Sequence, residues 1–368
     1  MPVPRHIVIS AVNIRKGGTL TVLRDCLRYL SAREDVRVTA FVHKRELFDV
    51  QGVDYVGLPW SLESWGKRLK CEYWTMPRLS RELPPVDLWL SLHDSTPPVK
   101  ARRQAVYCHN SFPFMKIRLR DFWMDYKIPL FSLFTSLVYR TFVRRNSYLI
   151  VQADWMREAL SGLLKFEKER IIVSPPAFQP MAIPEGDSRL EQGMTTFFYP
   201  STADCHKNFE TLCEAARLLE QHIGKDRFRV VITVKGDENR YARWLKKHWG
   251  NVDSIDFRGL LSREELADAY GEATCLVFPS RTETWGLPIS EFLPTGKPMI
   301  LADRPYAHET AAGASQVAFF PVTDAAALSG RMQEVTEGTL SSFGPVEAVD
   351  IAPPCAQDWE ALFNLLLL

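Results

Sequence analysis

Short apolar runs alternate along this chain with longer stretches whose apolar positions recur every three or four residues. Those two periods separate buried strands from surface helices. In the first half, Ile7–Val12, Val36–Val42, Asp54–Val56, Leu88–Leu92, Ala105–Cys108, Tyr148–Val151 and Ile171–Val173 read as strands, with helices over Thr19–Leu30 and Trp155–Leu164. Such alternation predicts a parallel sheet wrapped on both faces by helices. Ser174-Pro175-Pro176 through Pro184-Glu185-Gly186-Asp187 then breaks the pattern with four prolines, the clearest linker in the chain. A second alternating set follows. Thr196–Tyr199, Arg229–Val234, Ile255–Phe257, Cys275–Phe278, Met299–Leu301 and Gln316–Phe320 read as strands, separated by helices over Phe209–His222, Tyr241–His248, Arg263–Gly271 and Ala325–Glu337. The last stretch, Asp358–Leu368, is strongly apolar. The expected fold class is α/β, with two Rossmann-like, doubly wound domains at 1–180 and 181–350 facing across a cleft, and a terminal segment at 351–368. Ligands of such domains bind at the carboxyl ends of the strands.

Composition narrows the function classes. At 368 residues the chain is comfortable for two domains of about 180 residues each. No segment reaches the roughly 18 uncharged apolar residues that a spanning helix needs. The opening residues run straight into Ile7-Val8-Ile9-Ser10, and the seven cysteines form no CxxC pair. Together these features lead us to expect no leader segment, reduced thiols and a cytoplasmic protein, without structural zinc. The net charge of +1 conceals an asymmetry: residues 1–180 carry 28 Lys+Arg against 17 Asp+Glu (+11), and residues 181–368 carry 17 against 27 (−10). A basic half suggests an anionic partner, which nucleic acid, anionic lipid or a lipid-linked diphosphate would satisfy. No nucleic-acid-binding module or set of base-stacking aromatics is present, so no nucleic-acid partner is expected.

The candidate chemistry sits at strand ends. Cys275-Leu276-Val277-Phe278-Pro279-Ser280 leads into Thr282-Glu283-Thr284-Trp285-Gly286-Leu287-Pro288-Ile289-Ser290-Glu291, a buried strand, a glycine turn and a helix with proline in its first turn. A helix start suits a phosphate-bearing ligand, and Glu283 and Glu291 could both reach vicinal hydroxyls lying over it. Asn13-Ile14-Arg15-Lys16-Gly17-Gly18-Thr19 is a second strand–glycine–helix junction, where paired glycines let backbone approach a phosphate or sugar. It lacks the GxGxxG spacing of a dinucleotide fingerprint. His93 and His109 each end a candidate strand in the first half, and no further ligands stand at zinc-like spacing.

The glutamate segment resembles the donor-site signature of retaining glycosyltransferases with the GT-B fold, in particular glycosyltransferase family 4. The resemblance covers most of residues 195–321. It extends to Phe257-Arg258-Gly259-Leu260-Leu261-Ser262, to Gly296-Lys297-Pro298-Met299-Ile300, to Asp303–Glu309 and to Phe319-Phe320-Pro321. It implies an acceptor domain at 1–180, a donor domain at 181–350 and a terminal helix at 351–368 that braces the first domain. Arg281, Glu283, Trp285, Gly286 and Leu287 would surround the donor's sugar and phosphates, with Glu283 on sugar hydroxyls, backbone N–H groups near Gly286 and Leu287 on phosphate, and Glu291 on the ribose. Lys207, in Tyr199–Phe209, would neutralise the leaving diphosphate. Gly17 and Gly18 would close over the donor, and His109 would contact the transferred sugar. Three positions depart from the family pattern. Trp285 stands where phenylalanine is usual, and Pro294 predicts an early helix end. Thr202 replaces a common arginine, whose charge Arg281 or His206 would have to supply.

The implied reaction moves a hexose from a nucleotide diphosphate sugar, UDP- or GDP-linked, to an acceptor hydroxyl, with retention and without a metal or other cofactor. The implied acceptor is a glycan or lipid-linked glycan in bacterial surface polysaccharide or lipopolysaccharide assembly. The segment 116–145 interleaves Lys116, Arg118, Arg120, Lys127, Arg140, Arg144 and Arg145 with aromatic residues. An anionic membrane surface on the cytoplasmic side is the partner such a segment suits, unless its helices pack on the sheet with their arginines solvated. Two other readings stay open: a nucleotide-sugar epimerase on the same fold, and a non-enzymatic, membrane-associated basic protein.

Overall fold

The computed structural model describes residues 3–15, 18–176, 181–184 and 193–368. In chain order the elements begin with β1 (Arg5–Ala11), α1 (Gly18–Ser31), β2 (Val36–Val42), β3 (Val53–Gly57), α2 (Trp65–Lys70), α3 (Met76–Glu82), β4 (Leu88–Ser91) and β5 (Arg103–Cys108). They continue with α4 (Leu119–Asp125), α5 (Lys127–Arg140), β6 (Tyr148–Val151), α6 (Asp154–Leu164), β7 (Ile171–Val173), β8 (Thr195–Tyr199) and α7 (Phe209–Ile223). Then come β9 (Phe228–Ile232), α8 (Arg240–Trp249), β10 (Ile255–Phe257), α9 (Arg263–Glu272), β11 (Cys275–Phe278) and α10 (Leu287–Phe292). The last are β12 (Met299–Ala302), α11 (Pro305–Thr310), β13 (Val317–Phe320), α12 (Ala325–Glu337) and α13 (Trp359–Leu367). Every range read from the sequence as a strand overlaps a strand here, with ends that differ by at most two residues.

These elements form two compact units. One comprises Met1–Pro113, Leu133–Ala177 and Ile351–Leu368; the other comprises Phe114–Ser132 and Phe178–Asp350. Each unit is built on a fully parallel sheet, of order β3-β2-β1-β4-β5-β6-β7 in the first and β10-β9-β8-β11-β12-β13 in the second. The order reverses between β1 and β4 in one sheet and between β8 and β11 in the other. Loops leaving neighbouring strands diverge at such a point and open a crevice.

Alternate residues of β1 feed two cores, which is why its apolar run is unbroken. Ile7 and Ile9 pack with Leu23 and Leu27 of α1 and with Leu362, Phe363 and Leu366 of α13. Val8 on the other face packs with Phe41, Trp89 and Met76. Helix α13 starts at an Asp358 cap, whose carboxylate accepts from the Ala361 N–H at 2.8 Å. It ends with Arg5 and Arg103 donating to the carbonyls of Leu367 and Leu366, cations where the helix dipole is negative. The ring of Phe363 stacks on Tyr29 of α1 at 5.7 Å.

The expected continuous body at 1–180 is interrupted, because α4 and the start of α5 pack in the second unit. Charge draws them there. Arg281 grips Asp121 of α4 in a two-pronged bond of 2.7 and 2.8 Å, and Arg120 pairs with Glu210 of α7. Arg120 also lies over the Trp244 ring of α8. Two basic residues of the 116–145 segment, Arg118 and Arg120, therefore serve an internal carboxylate.

Asn208 is the structural knot of the second unit. It is fully buried with φ of +61°, and its Nδ2 donates to the carbonyls of Pro279 (3.0 Å) and Val322 (2.8 Å). Its Oδ1 accepts from the Thr211 hydroxyl at 2.9 Å. Asparagine tolerates the left-handed region that costs other residues about 1–2 kcal/mol. Asn208→Ala should lose that tolerance and both donors, lowering stability by about 2–4 kcal/mol. A urea unfolding curve followed by tryptophan fluorescence measures it.

Candidate functional site

The crevice between β8 and β11 of the second unit holds the residues singled out from sequence. The β8 loop ends in a single helical turn, Cys205–Lys207, and the β11 loop runs from Pro279 to Gly286. Three hydrogen bonds tie this framework together. The Arg281 N–H donates to the His206 carbonyl at 2.8 Å, Tyr199 donates its hydroxyl to the Lys207 carbonyl at 2.9 Å, and Tyr306 donates to the Ser280 carbonyl at 2.8 Å. The result brings two predicted site residues face to face. Lys207 Nζ donates to Glu283 Oε1 at 2.6 Å, with both side chains about 15% exposed. Ligand could reach this cation and carboxylate without unfolding anything, and neighbours that leave little freedom hold both in place.

Beyond Glu283 the chain turns through Gly286, at φ +101°, into α10. A Cβ there would lie 3.3 Å from the flexible end of Ile289, a tight contact, and the backbone conformation is what calls for glycine. Trp285 is locked by a bond from its Nε1 to the Ser290 hydroxyl at 2.9 Å, and its carbonyl accepts from the Thr310 hydroxyl. Leu287 opens the helix and is partly exposed. Pro294 lies in the short turn Leu293–Thr295 that ends the helix, the early stop its ring predicts. Glu291 accepts the Tyr270 hydroxyl at 2.6 Å.

The structure removes both replacements for the missing arginine at Thr202. The Arg281 guanidinium is committed to Asp121 and to the Lys116 carbonyl, and the residue is 7% exposed. Burial, reinforced by Lys207 and Arg281, pushes the His206 imidazole far below its ordinary range and leaves it neutral. Lys207 therefore carries the cationic role of this loop. Thr202 bonds its hydroxyl to Asp204 at 2.6 Å instead.

In the first unit, Gly17 lies outside the described residues and Gly18 is the first residue of α1. His93 is structural. Its Nε2 bonds the Ser10 hydroxyl at 2.7 Å and its Nδ1 that of Ser95 at 2.9 Å, with the ring fully buried. His109 differs sharply. Both ring nitrogens are shielded from solvent and find no protein partner, and the ring stacks on Tyr107 at 4.3 Å. Burial pushes its pKa down to about 3, so the ring is neutral and can both donate and accept. Beside it stands a residue the sequence did not reveal. Asp94, just past β4 at the strand-order reversal, has φ of +66° and accepts the His109 N–H at 2.6 Å. Burial pushes its carboxyl up to about 6. A buried carboxylate next to an unpartnered histidine makes Asp94 a candidate site residue. Only its local backbone conformation, invisible in a residue pattern, distinguishes it from any Asp after a strand.

Among the described residues, no group of three or more His, Cys, Asp or Glu is placed to hold a metal ion, and no helix is long and apolar enough to cross a membrane.

Residues 186–342 match the family described as glycosyl transferases group 1. No curated protein matches the chain by sequence. Among solved structures, a sucrose-phosphate synthase from Thermosynechococcus elongatus superposes with a TM-score of 0.67 at 17% identity, over 92% of this chain and 91% of that one. WaaG, a glycosyltransferase involved in lipopolysaccharide biosynthesis, gives 0.64 at 14% identity, over 91% and 93%. HepE from Anabaena, solved with UDP and glucose, gives 0.62 at 13%, over 91% and 92%. These likenesses show the fold, GT-B.

The raised pKa of Asp94 has a testable sign. Its folded value lies above the unfolded one, so the folded state binds the extra proton and stability falls as pH rises from about 4 to about 6. Asp94→Asn keeps the left-handed backbone and an acceptor for the His109 N–H. It should be more stable than wild type by about 1–3 kcal/mol at pH 7.5, with the gain vanishing near pH 4, in unfolding curves taken across that range.

Proposed function

We propose that the protein is a retaining, metal-independent hexosyltransferase that uses a UDP- or GDP-linked sugar. Its acceptor is a hydroxyl on a glycan or lipid-linked glycan of surface polysaccharide or lipopolysaccharide assembly. The Lys207–Glu283 pair in the β8/β11 crevice carries this reading. Glu283 offers its carboxylate to hydroxyls of the transferred sugar and Lys207 offers its ammonium to the diphosphate. In the unliganded protein each satisfies the other. Pro288 has no N–H, so the donors at the start of α10 are the N–H groups of Gly286 and Leu287, which in this reading meet phosphate oxygens. Glu291 holds the ribose, and His109 binds a sugar hydroxyl with its neutral ring. In this reading Gly18, the first residue of α1, also contacts the donor, as does Gly17, which lies outside the described residues.

In the chemical step the bond from the anomeric carbon to the diphosphate breaks while the acceptor oxygen bonds to that carbon from the same face. The acceptor proton passes to the departing phosphate oxygen. Lys207 stabilises the charge gathering on that leaving group, the electrostatic part of the catalysis. The names of WaaG and of the HepE complex with UDP and glucose support the pathway and the donor class. Lys207→Ala should lower turnover about 100- to 1,000-fold, and Glu283→Gln should do so comparably, in a transfer assay with UDP- and GDP-hexoses. Wild-type turnover in both variants would falsify the assignment. Isomerised sugar from donor alone would make the enzyme an epimerase instead.

The protein works at an anionic membrane surface in this reading. In the first unit, Trp74, Phe134 and Leu137 are 71%, 61% and 65% exposed, and the Tyr73 and Phe142 rings meet at 6.0 Å, bringing the α2–α3 region to the end of α5. Lys67, Lys70, Arg140 and Arg144 flank these positions. Exposed apolar side chains rimmed by cations suit an interfacial contact. Replacing Phe134 and Leu137 with serine should reduce co-sedimentation with phosphatidylserine vesicles several-fold and leave nucleotide binding unchanged.

A further inference from the structure

A cavity of about 300 Å³ lies within the second unit, away from the Lys207–Glu283 pair but built on the same loop. One wall is the end of α4 and the turn after it (Trp123, Asp125, Tyr126), another is the β8 loop around Asp204, and the third is the start of α8 at Arg240. The Lys207 N–H donates to the Asp204 carbonyl at 2.9 Å, so cavity and donor crevice are joined by a single backbone turn.

The lining has a specific chemistry. Trp123 and Tyr126 remain 51% and 59% exposed, although aromatic rings of this size gain most from being hidden. The Arg240 guanidinium sits 4.1 Å from the Trp123 ring centre and fixes the plane of the indole. Asp204 is held through one oxygen, which accepts from Thr202 at 2.6 Å, and Asp125 through one oxygen, which accepts from the Lys127 N–H at 3.0 Å. Each therefore presents a second oxygen to a hydroxyl donor. Two aspartates set against Lys127 and Arg240 leave the cavity near electrical balance, which disfavours a phosphorylated or polyanionic occupant. The polar groups between the rings equally disfavour an acyl chain. The volume is at the small end of ligand sites, room for roughly one or two sugar rings.

We infer that this cavity is a subsite for a neutral sugar ring of the acceptor glycan, which lays its C–H face on Trp123 and gives its hydroxyls to Asp125 and Asp204. The inference rests on the transferase reading for the word acceptor; the sugar-binding chemistry stands on the cavity alone. Its position beside the Lys207 loop would anchor the acceptor next to the departing diphosphate.

The test uses the full chain as wild type, Trp123→Ala and Trp123→Phe. Maltose, cellobiose, lactose and melibiose at millimolar concentration are titrated by saturation-transfer NMR, and UDP and GDP by thermal shift. At least one disaccharide should bind the wild type, about five- to ten-fold more weakly after Trp123→Ala and near wild type after Trp123→Phe, with nucleotide shifts equal in all three. Trp123 is on the surface, and equal nucleotide shifts show that each variant is folded. No disaccharide binding by a wild type that binds nucleotide overturns the inference, as does disaccharide binding indifferent to Trp123→Ala. Loss of phosphatidylserine-vesicle binding in Trp123→Ala with saccharide binding unchanged also overturns it, and assigns the rings to a membrane. Disaccharide binding without any nucleotide response keeps the sugar site and removes the transferase reading.

Discussion

Lys207 can face Glu283 only because the residue after it turns the chain through a left-handed conformation that the interior holds in place. The carboxamide of Asn208 reaches the carbonyls that follow β11 and β13, while its backbone ends the β8 loop and begins α7. A buried amide with its hydrogen bonds met is rigid, because any displacement leaves polar groups unpaired in a medium without water. The same region is cross-braced by Tyr199 and Tyr306 through Ser280. In the role proposed for Lys207 such rigidity is an advantage, since a held cation needs no rearrangement when charge develops before it. An ion pair at the edge of solvent contributes little net stability. In the proposed reading, exchanging Glu283 for a diphosphate, and Lys207 for sugar hydroxyls, would therefore cost the protein little.

The charge imbalance between the two halves of the chain takes a different meaning in the folded protein. Part of the basic excess lies on Phe114–Ser132, which joins the acidic second unit, and Arg118 and Arg120 meet Glu210 there. Arg281 answers in the opposite sense by fixing Asp121. Some of what reads as attraction to an external anion is thus complementarity within the molecule. The exposed apolar positions that follow, from Leu133 to Phe142, are not engaged in this way and keep their own explanation.

Strands and the major helices were legible because burial on both faces of a parallel sheet forces unbroken Val, Ile and Leu runs, as in Ile7-Val8-Ile9. Lys207, Glu283 and Gly286 were legible because a local motif, strand, loop and helix start, carries them in order. Asp121 was not, since its meaning depends on Arg281, far away in sequence and unmarked by spacing. Nor was Asp94, whose distinction is a backbone angle and a neighbouring N–H. The roles offered to Arg281 and His206 failed for one reason: residue type announces a possible charge, but partners and burial decide whether that charge is free.

Helix α13 has a consequence for how the protein is made. Leu362, Phe363 and Leu366 complete the core formed by β1 and α1, elements made long before α13. Until α13 is made, the part of the β1–α1 core that it covers stays exposed. Domains made amino-terminus first normally close as they appear. Here the nascent first unit would be a client for chaperones, and ribosome-stalled chains ending before Ile351 should be protease-sensitive over residues that resist digestion in the finished molecule.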